Sequence, residues 1–212
     1  MKRIQKKLIC TILSLVVCIS LVGCSFGFDA SAYVRSYLDA QTKGDVSEYA
    51  KITRTSEEDI INAYNEGIET ELNAFDTFNL SEAQKDNYRT LFKDIYSKFQ
   101  YEVGEATKNS DGSYTVPVTT KKLIVFDNII DHSQGYIMDY AKSNPSASQT
   151  ELYSAICDFM YTELSENIAN PQYGEEQVIN VQVTKTDDNK YILSDQEIQK
   201  LIYAMMDTEN MQ

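Results

Sequence analysis

Histidine, cysteine and proline are scarce in this chain of 212 residues, and tryptophan is absent. His132 is the single histidine, and beyond residue 24 the single cysteine is Cys157. Zinc sites of the ordinary type use two or more histidine or cysteine ligands, so these two residues could form one only with carboxylates. The sequence also has no glycine-rich phosphate loop and no Cys-x-x-Cys pair. We therefore predict no metal site and no cofactor.

Basic residues are few, with 19 lysines and arginines against 32 aspartates and glutamates. Four of the basic residues lie in the first 23 positions, so the remainder of the chain has 15 basic against 32 acidic residues, a net charge of -17. Such a charge repels polyanions and anionic lipid headgroups. Nucleic acid is therefore excluded as a predicted partner.

The first 23 residues have the layout of an export signal. Four basic residues occupy the first seven positions, and the stretch 8–22 is apolar apart from one threonine and two serines. A permanent spanning helix needs about 20 apolar residues, and this stretch is shorter. The pattern therefore predicts a signal peptide over residues 1–23 that is inserted and then cleaved.

Leu21-Val22-Gly23-Cys24 ends the apolar stretch and resembles the lipobox of bacterial lipoproteins. The resemblance implies that Cys24 receives a diacylglyceryl group, that cleavage falls between Gly23 and Cys24, and that Cys24 becomes an acylated N-terminus, with palmitate among its acyl chains. Two or more acyl chains give stable membrane anchoring, whereas one gives marginal binding. The expected location is the extracytoplasmic face of the cell membrane, with residues 24–28 as a short tether.

The remaining cysteines predict that no disulfide forms. Cys10 and Cys18 belong to the signal peptide and Cys24 would be a thioether, which leaves Cys157 as a lone thiol. An exported domain of this kind must be stabilised by its hydrophobic core. Residues 29–212 are long enough to form such a core.

Helical periodicity dominates residues 29–212, interrupted by two stretches of alternating apolar residues. The alternating stretches, 101–118 and 179–193, predict β-hairpins, and Pro117 should lie at a sheet edge or a bulge because it lacks an amide hydrogen. Helix-start signals occur near residues 29, 46, 55, 81, 126, 148 and 194. We predict an α+β fold, with about four antiparallel strands packed against amphipathic helices. Helix–hairpin–helix recurs over 82–142 and 148–206, which suggests two related halves, 29–145 and 146–212.

A second resemblance rests on the segment 37–45, which contains Lys43-Gly44-Asp45, and on Tyr49 and Glu57-Glu58. This region resembles the N-terminal part of surface lipoproteins from Gram-positive, clostridial-type bacteria. It is also similar to the helix, turn and short helix that begin many NTF2-like (nuclear transport factor 2-like) domains, over residues 29–75. The chain differs from the NTF2-like pattern because it continues into two long predicted helices instead of a strand. The resemblance implies no activity and no catalytic residue.

Candidate chemical residues each have a simpler structural interpretation. His132 lies beside the apolar stripe of its helix, and Cys157 lies one position from the stripe of the next helix, where free cysteine commonly packs as a small apolar residue. Acidic pairs such as Glu66 with Glu69 and Glu163 with Glu166 are interpreted as solvated helix faces. No catalytic residue is therefore assigned.

Two functional hypotheses follow. The first is a non-catalytic binding or interaction module at the cell envelope, with an envelope protein or a glycan as partner. The alternative is an extracytoplasmic hydrolase that uses carboxylates, or Cys157 with His132. A pocket in which two carboxylates converge would favour the hydrolase, and a broad surface without converging charges would favour binding.

Overall fold

A computed structural model describes residues 27–73, 75–187 and 190–207 of the protein. The predicted signal peptide, Gly23, Cys24 and the tether as far as residue 26 lie outside the described residues. The described part forms seven α-helices and an antiparallel sheet, which confirms the predicted α+β class.

The first four helices precede the sheet in sequence. Helix α1 begins because the Asp29 carboxylate accepts a hydrogen bond from the Ala32 amide, and it ends at Gly44, whose positive φ of 70° suits glycine. Helix α4 begins with a capping box between Ser81 and Gln84. The bounds are α1 Ala30–Lys43, α2 Ser47–Thr53, α3 Glu57–Asn73 and α4 Glu82–Ser97, with a 3-10 turn at Asp76–Phe78.

Three further helices follow strands or each other, at α5 Ile129–Ser143, α6 Gln149–Ala169 and α7 Asp195–Met205. The predicted caps at Ser148 and Ser194 are confirmed, since each serine accepts a hydrogen bond from the third amide of its helix. Helix α5 starts three residues later than predicted. Phe126 is buried in the core instead, and Asn128 adopts a left-handed conformation that is not helical.

The sheet contains both predicted hairpins. Its strands are β1 Gln100–Val103, β2 Thr107–Lys108, β3 Tyr114–Ile124, β4 Gln172–Lys185 and β5 Tyr191–Leu193. The order is β1-β3-β4-β5, and β2 continues the β1 side of β3. Strand β4 begins seven residues before the predicted Ile179, because its polar first half is held by pairing with β3 and not by burial of alternate residues.

Pro117 lies in β3, which is a central strand, so its placement at a sheet edge is wrong and its placement at a bulge is correct. Val103 pairs with Val118, and Thr107 pairs with Thr115. Three residues between β1 and β2 therefore face two residues of β3, which is the geometry of a β-bulge. The Pro117 carbonyl accepts a hydrogen bond from the Gly104 amide on the bulged side, so the missing N–H of Pro117 also faces the bulge.

The core lies between the inner face of the sheet and the helices. Alternate residues of β3 and β4 are buried there, and α1 and α7 pack against this face. Helix α6 packs on α4 and α5. One core cluster includes residues from both predicted halves, which share the sheet through β3 and β4. The order helix–hairpin–helix is present twice, and the relation between the halves stays a prediction.

Candidate functional site

The tether enters the described structure at an aromatic cluster. The Phe28 ring stacks on the Tyr191 ring, with centroids 4.1 Å apart and an angle of 8° between the planes. It also packs at an angle against Tyr33 and Tyr114, at 5.7 and 5.8 Å. Phe28, which the predicted boundaries assign to the tether, is thus in contact with both hairpins. Cys24 lies outside the described residues, four positions before Phe28.

Cys157 is fully buried on α6, as the simpler interpretation predicted. The Tyr88 hydroxyl donates a hydrogen bond to its backbone carbonyl at 2.7 Å. Burial, with a smaller contribution from the Asp158 carboxylate, raises the pKa of the Cys157 thiol to about 12. A thiol in this environment is protonated at neutral pH and is a poor nucleophile.

His132 pairs with a carboxylate and not with Cys157. Its Nδ1 lies 2.8 Å from Glu163 Oε2, and both side chains are partly exposed where α5 meets α6. Glu163 lies six positions after Cys157 on α6, which is about 9 Å along the helix axis and on a different helix face. The structure therefore does not bring together the Cys-His pair of the hydrolase hypothesis. The sequence did not predict that His132 pairs with Glu163, because no local pattern marks this contact.

In each acidic pair one carboxylate, Glu69 or Glu163, contacts a basic side chain. The Arg89 guanidinium donates to both carboxylate oxygens of Glu69, at 2.6 and 2.9 Å, and also to Asp86. The interaction with Arg89 lowers the pKa of Glu69. Glu66 is exposed on α3, as a solvated helix face predicts.

A small cavity of about 30 Å³ lies where α7 covers α1 and α4. Its walls are mostly apolar, with Leu38, Phe99 and Leu201 among them, and Gln41 and Thr42 contribute polar side chains. Gln41 is 5% exposed, and neither atom of its side-chain amide has a hydrogen-bond partner among the described residues. This volume accommodates about one or two water molecules. No carboxylate lines the cavity.

A larger and more open cleft of about 330 Å³ lies between α3 and α4. Its lining includes Asp76, Asn79 and Lys85, with Leu72, Phe75 and Leu80 behind them. Lys85 already pairs with Glu82 at 3.0 Å. Asp76 is the one carboxylate in this lining, so the cleft does not present the paired acids that glycoside hydrolysis uses.

The side of β3 and β4 away from the core forms a surface that we call the outer sheet face. Its side chains are Thr115, Pro117, Thr119, Lys121, Glu176, Val178, Asn180 and Gln182, which face each other across the two strands. Most are polar, and Thr115, Asn109 and Gln182 form a hydrogen-bonded cluster at one end. Pro117 and Val178 are the apolar members, and Val178 is 63% exposed.

Helix α7 runs beside β4 and satisfies its backbone. The Glu197 carboxylate accepts from the Gln182 amide at 2.9 Å, the Lys200 ammonium donates to the Asn180 carbonyl, and the Gln177 side chain donates to the Ala204 carbonyl at 3.0 Å. On β4, Val178 lies between Gln177 and Asn180, which make two of these contacts. On α7, Tyr203 lies between Lys200 and Ala204, their partners. Tyr203 is 50% exposed, so two large exposed side chains flank the same stretch.

The exposure of Val178 and Tyr203 was not predicted from the sequence, although their positions in the apolar patterns indicate it. Val178 occupies the outward register of a strand whose inward residues are Ile179, Val181 and Val183. Tyr203 lies off the apolar stripe of α7 that contains Ile198 and Leu201. Apolar or aromatic residues at positions that face away from the core indicate a contact surface.

The described part of the chain has neither a cluster of metal-binding side chains nor a membrane-spanning helix. In residues 27–73, 75–187 and 190–207, no group of three histidine, cysteine, aspartate or glutamate side chains is placed to hold a metal ion. In the same residues, no helix has the length and apolar character required to cross a membrane.

No family model matches the chain, and no curated protein matches it in sequence. Its fold is similar to the crystal structure of a Bacillus subtilis protein (ycdA) that is described as a lipoprotein. The TM-score is 0.57 and the sequence identity 21%, with 84% of this chain aligned. The alignment spans 56% of the length of that protein. At this identity the similarity shows a shared fold.

Proposed function

We propose that this protein is a lipoprotein, anchored through Cys24 to the extracytoplasmic face of the cell membrane. The basic start, the apolar stretch and Leu21–Cys24 support this assignment. The fold shared with a Bacillus subtilis protein described as a lipoprotein agrees with it. A domain of net charge -17 needs such an anchor, because electrostatics alone would repel it from anionic headgroups.

The anchor is tested by replacing its cysteine. In Cys24→Ser we expect lipid labelling to disappear and the protein to stay unprocessed or to be shed into the medium, since no thiol remains to accept the diacylglyceryl group. Cys18→Ser, in the apolar stretch, is the matched control and should be labelled and anchored like the parent. Persistent lipid label on Cys24→Ser would contradict the assignment.

We further propose that the domain is a non-catalytic binding module, and Val178 with Tyr203 is the observation that carries this proposal. Val178 is exposed on the outer sheet face and Tyr203 is half-exposed on α7, along the same stretch of the contact between β4 and α7. Exposed tyrosine is the kind of residue that anchors protein interfaces, and polar side chains of the kind found on the outer sheet face suit an interface rim. The partner that fits is an envelope protein close to the membrane.

The two cavities support binding over hydrolysis. One has no carboxylate and the other has one, Asp76. Cys157 is buried, and the exposed His132 faces Glu163. A general acid and a general base, or a nucleophile with its base, need to meet at a common site. Turnover of an envelope-derived substrate, abolished by one carboxylate substitution, would establish the hydrolase alternative instead.

The binding proposal is tested by photo-crosslinking in the native membrane. A photoreactive residue in place of Tyr203 or Val178 should give a discrete adduct with one envelope protein. The same residue in place of Met138, which is 55% exposed on α5, should not. The purified partner should then bind at least about tenfold more weakly to Tyr203→Ala, the effect of losing about 1.4 kcal/mol.

Equal adducts at positions 203 and 138, or an unchanged affinity of Tyr203→Ala, would refute this surface. An adduct with a glycan in place of a protein would reassign the partner class.

A further inference from the structure

The point where the tether leaves the domain is held rigidly. Phe28 is fixed by its stack on Tyr191 and its contacts with Tyr114 and Tyr33. Three residues separate it from Cys24, and the Cα atoms of Cys24 and Phe28 can be at most about 14 Å apart in a fully extended chain. If Cys24 carries the lipid, the part of the domain around Phe28 must lie close to the bilayer.

That part of the domain consists of two hairpin tips, which we call the hairpin end and define by their described residues: Lys108–Tyr114, and Lys185–Asp187 with Lys190–Tyr191. Lys108 pairs with Tyr114 across β2 and β3, and Lys185 pairs with Tyr191 across β4 and β5. The Lys185 side chain also passes beside Gly112, in the first of the two turns. Both lysines are therefore cross-strand neighbours of Tyr114 and Tyr191, two of the three rings that Phe28 contacts.

Lys108 and Lys185 differ from most lysines of this acidic chain. Lys43, Lys51, Lys85 and Lys142 each pair with a carboxylate three or four residues away. No carboxylate of the described residues lies within ion-pair distance of Lys108 or Lys185, and the Lys108 ammonium instead lies 5.8 Å from the centre of the Tyr114 ring.

Carboxylates are also present at the hairpin end. Asp111 accepts hydrogen bonds from the amide and hydroxyl of Ser113, and Asp187 is exposed. Asp29 accepts from the Ala32 amide at the start of α1. Asp111 and the nearby Asp29 are thus engaged within the domain and Asp187 is exposed, whereas no carboxylate of the described residues pairs with the ammonium group of Lys108 or Lys185.

We propose that the hairpin end rests on the membrane surface, with Lys108 and Lys185 contacting the phosphate groups of anionic phospholipids; this rests on the proposed anchoring at Cys24. The short tether limits the domain to this approach, and the two cations offset the repulsion of the acidic domain at the one place where it meets the lipid. The outer sheet face and Tyr203 then extend away from the bilayer along β4.

The orientation is tested with the full chain, processed and lipidated in cells and reconstituted into vesicles of phosphatidylglycerol and phosphatidylcholine. A fluorophore is attached at Ser110→Cys in the first hairpin tip, since buried Cys157 and acylated Cys24 do not compete for the label. The matched site is Gln172→Cys, which is exposed and pairs with Ile124 at the opposite end of β3, about 33 Å from Tyr114. A headgroup nitroxide should quench position 110 at least threefold more than position 172.

Lysine substitutions test the charge contacts. Lys108→Gln with Lys185→Gln should reduce the quenching at position 110 and remove its dependence on salt. The control pair Lys51→Gln and Lys142→Gln, on α2 and α5, changes the net charge by the same amount as the first pair. It should leave the quenching at position 110 unchanged.

The outcomes separate the two proposals. Protein that carries no lipid and does not float with the vesicles would refute anchoring at Cys24. Anchored protein with equal quenching at positions 110 and 172, or stronger quenching at 172, would overturn the orientation alone. Anchored protein whose quenching is unaffected by the Lys108 and Lys185 substitutions would overturn the headgroup contacts.

Discussion

Cys157 illustrates how the surroundings of one residue decide its chemistry. The side chain is fully buried on α6, and the Tyr88 hydroxyl donates a hydrogen bond to the backbone carbonyl of Cys157. Because burial disfavours the thiolate, the pKa of the thiol rises from 9.0 to about 12. Between pH 7 and 10 the native protein therefore keeps this thiol protonated.

We expect thiol reagents to leave Cys157 unmodified at pH 8 in the native protein and to modify it readily in denaturant. Ser110→Cys, an exposed thiol in a turn, should react at once under the same conditions and serves as the control. Cys157→Ala should lower the free energy of unfolding by about 1–2 kcal/mol through lost packing, measured by urea titration. Rapid labelling of native Cys157 would restore it as a candidate nucleophile.

At the scale of elements, the bulge between β1 and β2 joins the sheet to α1. The Ser31 hydroxyl donates to the Gly104 carbonyl and accepts from the Ala106 amide, both at 2.8 Å. Arg35 donates to the neighbouring Val103 carbonyl. Backbone groups that the bulge removes from the ladder thereby obtain partners from one turn of a helix. Glycine at 104 is required because a Cβ there would lie 2.9 Å from Pro117 Cγ.

Gly104→Ala should therefore lower the free energy of unfolding by about 1–3 kcal/mol, the usual cost of overpacking. In a Pro117→Ala background the same substitution should cost less, because the ring carbon that it meets is gone. Urea unfolding of the two single variants and the double variant measures this coupling. Equal losses in both backgrounds would show that the Pro117 ring is not the obstacle.

The whole molecule is stabilised by one core, without a disulfide or a metal that the described residues could hold. Phe28 extends this core toward the proposed lipid anchor at Cys24. Phe28 was assigned to the tether, but its contacts make it part of the packed domain. If Cys24 carries the lipid, we expect loss of Phe28 to lower both the stability of the domain and the definition of its orientation.

A fragment of residues 25–212, made without signal or lipid, should unfold cooperatively in reducing buffer, and EDTA should not change its melting temperature. A fragment of residues 29–212 should melt lower by several degrees, because it loses the stack of Phe28 on Tyr191, worth about 1–2 kcal/mol. Calorimetry of the two fragments side by side measures the difference. A melting temperature lowered by EDTA would reveal a metal, and identical melting of both fragments would remove Phe28 from the core.

Local signals in the amino-acid order account for most of the secondary structure. Asp29, Ser81, Ser148 and Ser194 cap helices where their side chains reach an amide three residues on, and alternating valines mark the strands around Val116 and Val181. These interactions act over a few residues, so they are legible without a fold. The predicted lipobox, Leu21–Cys24, would be a local signal of the same kind, and it lies outside the described residues.

Tertiary structure alone decided the surfaces and contacts on which the proposals rest. His132 meets Glu163 from 31 residues away, and Phe28 meets Tyr191 from the opposite end of the chain. Val178 and Tyr203 flank the same stretch of the fold because α7 runs beside β4. Gln41 is polar on a helix, yet α7 covers it. Each depends on how separate elements pack. Many packings satisfy the same local preferences, so the positions of these groups follow from the assembled core and not from their neighbours in sequence.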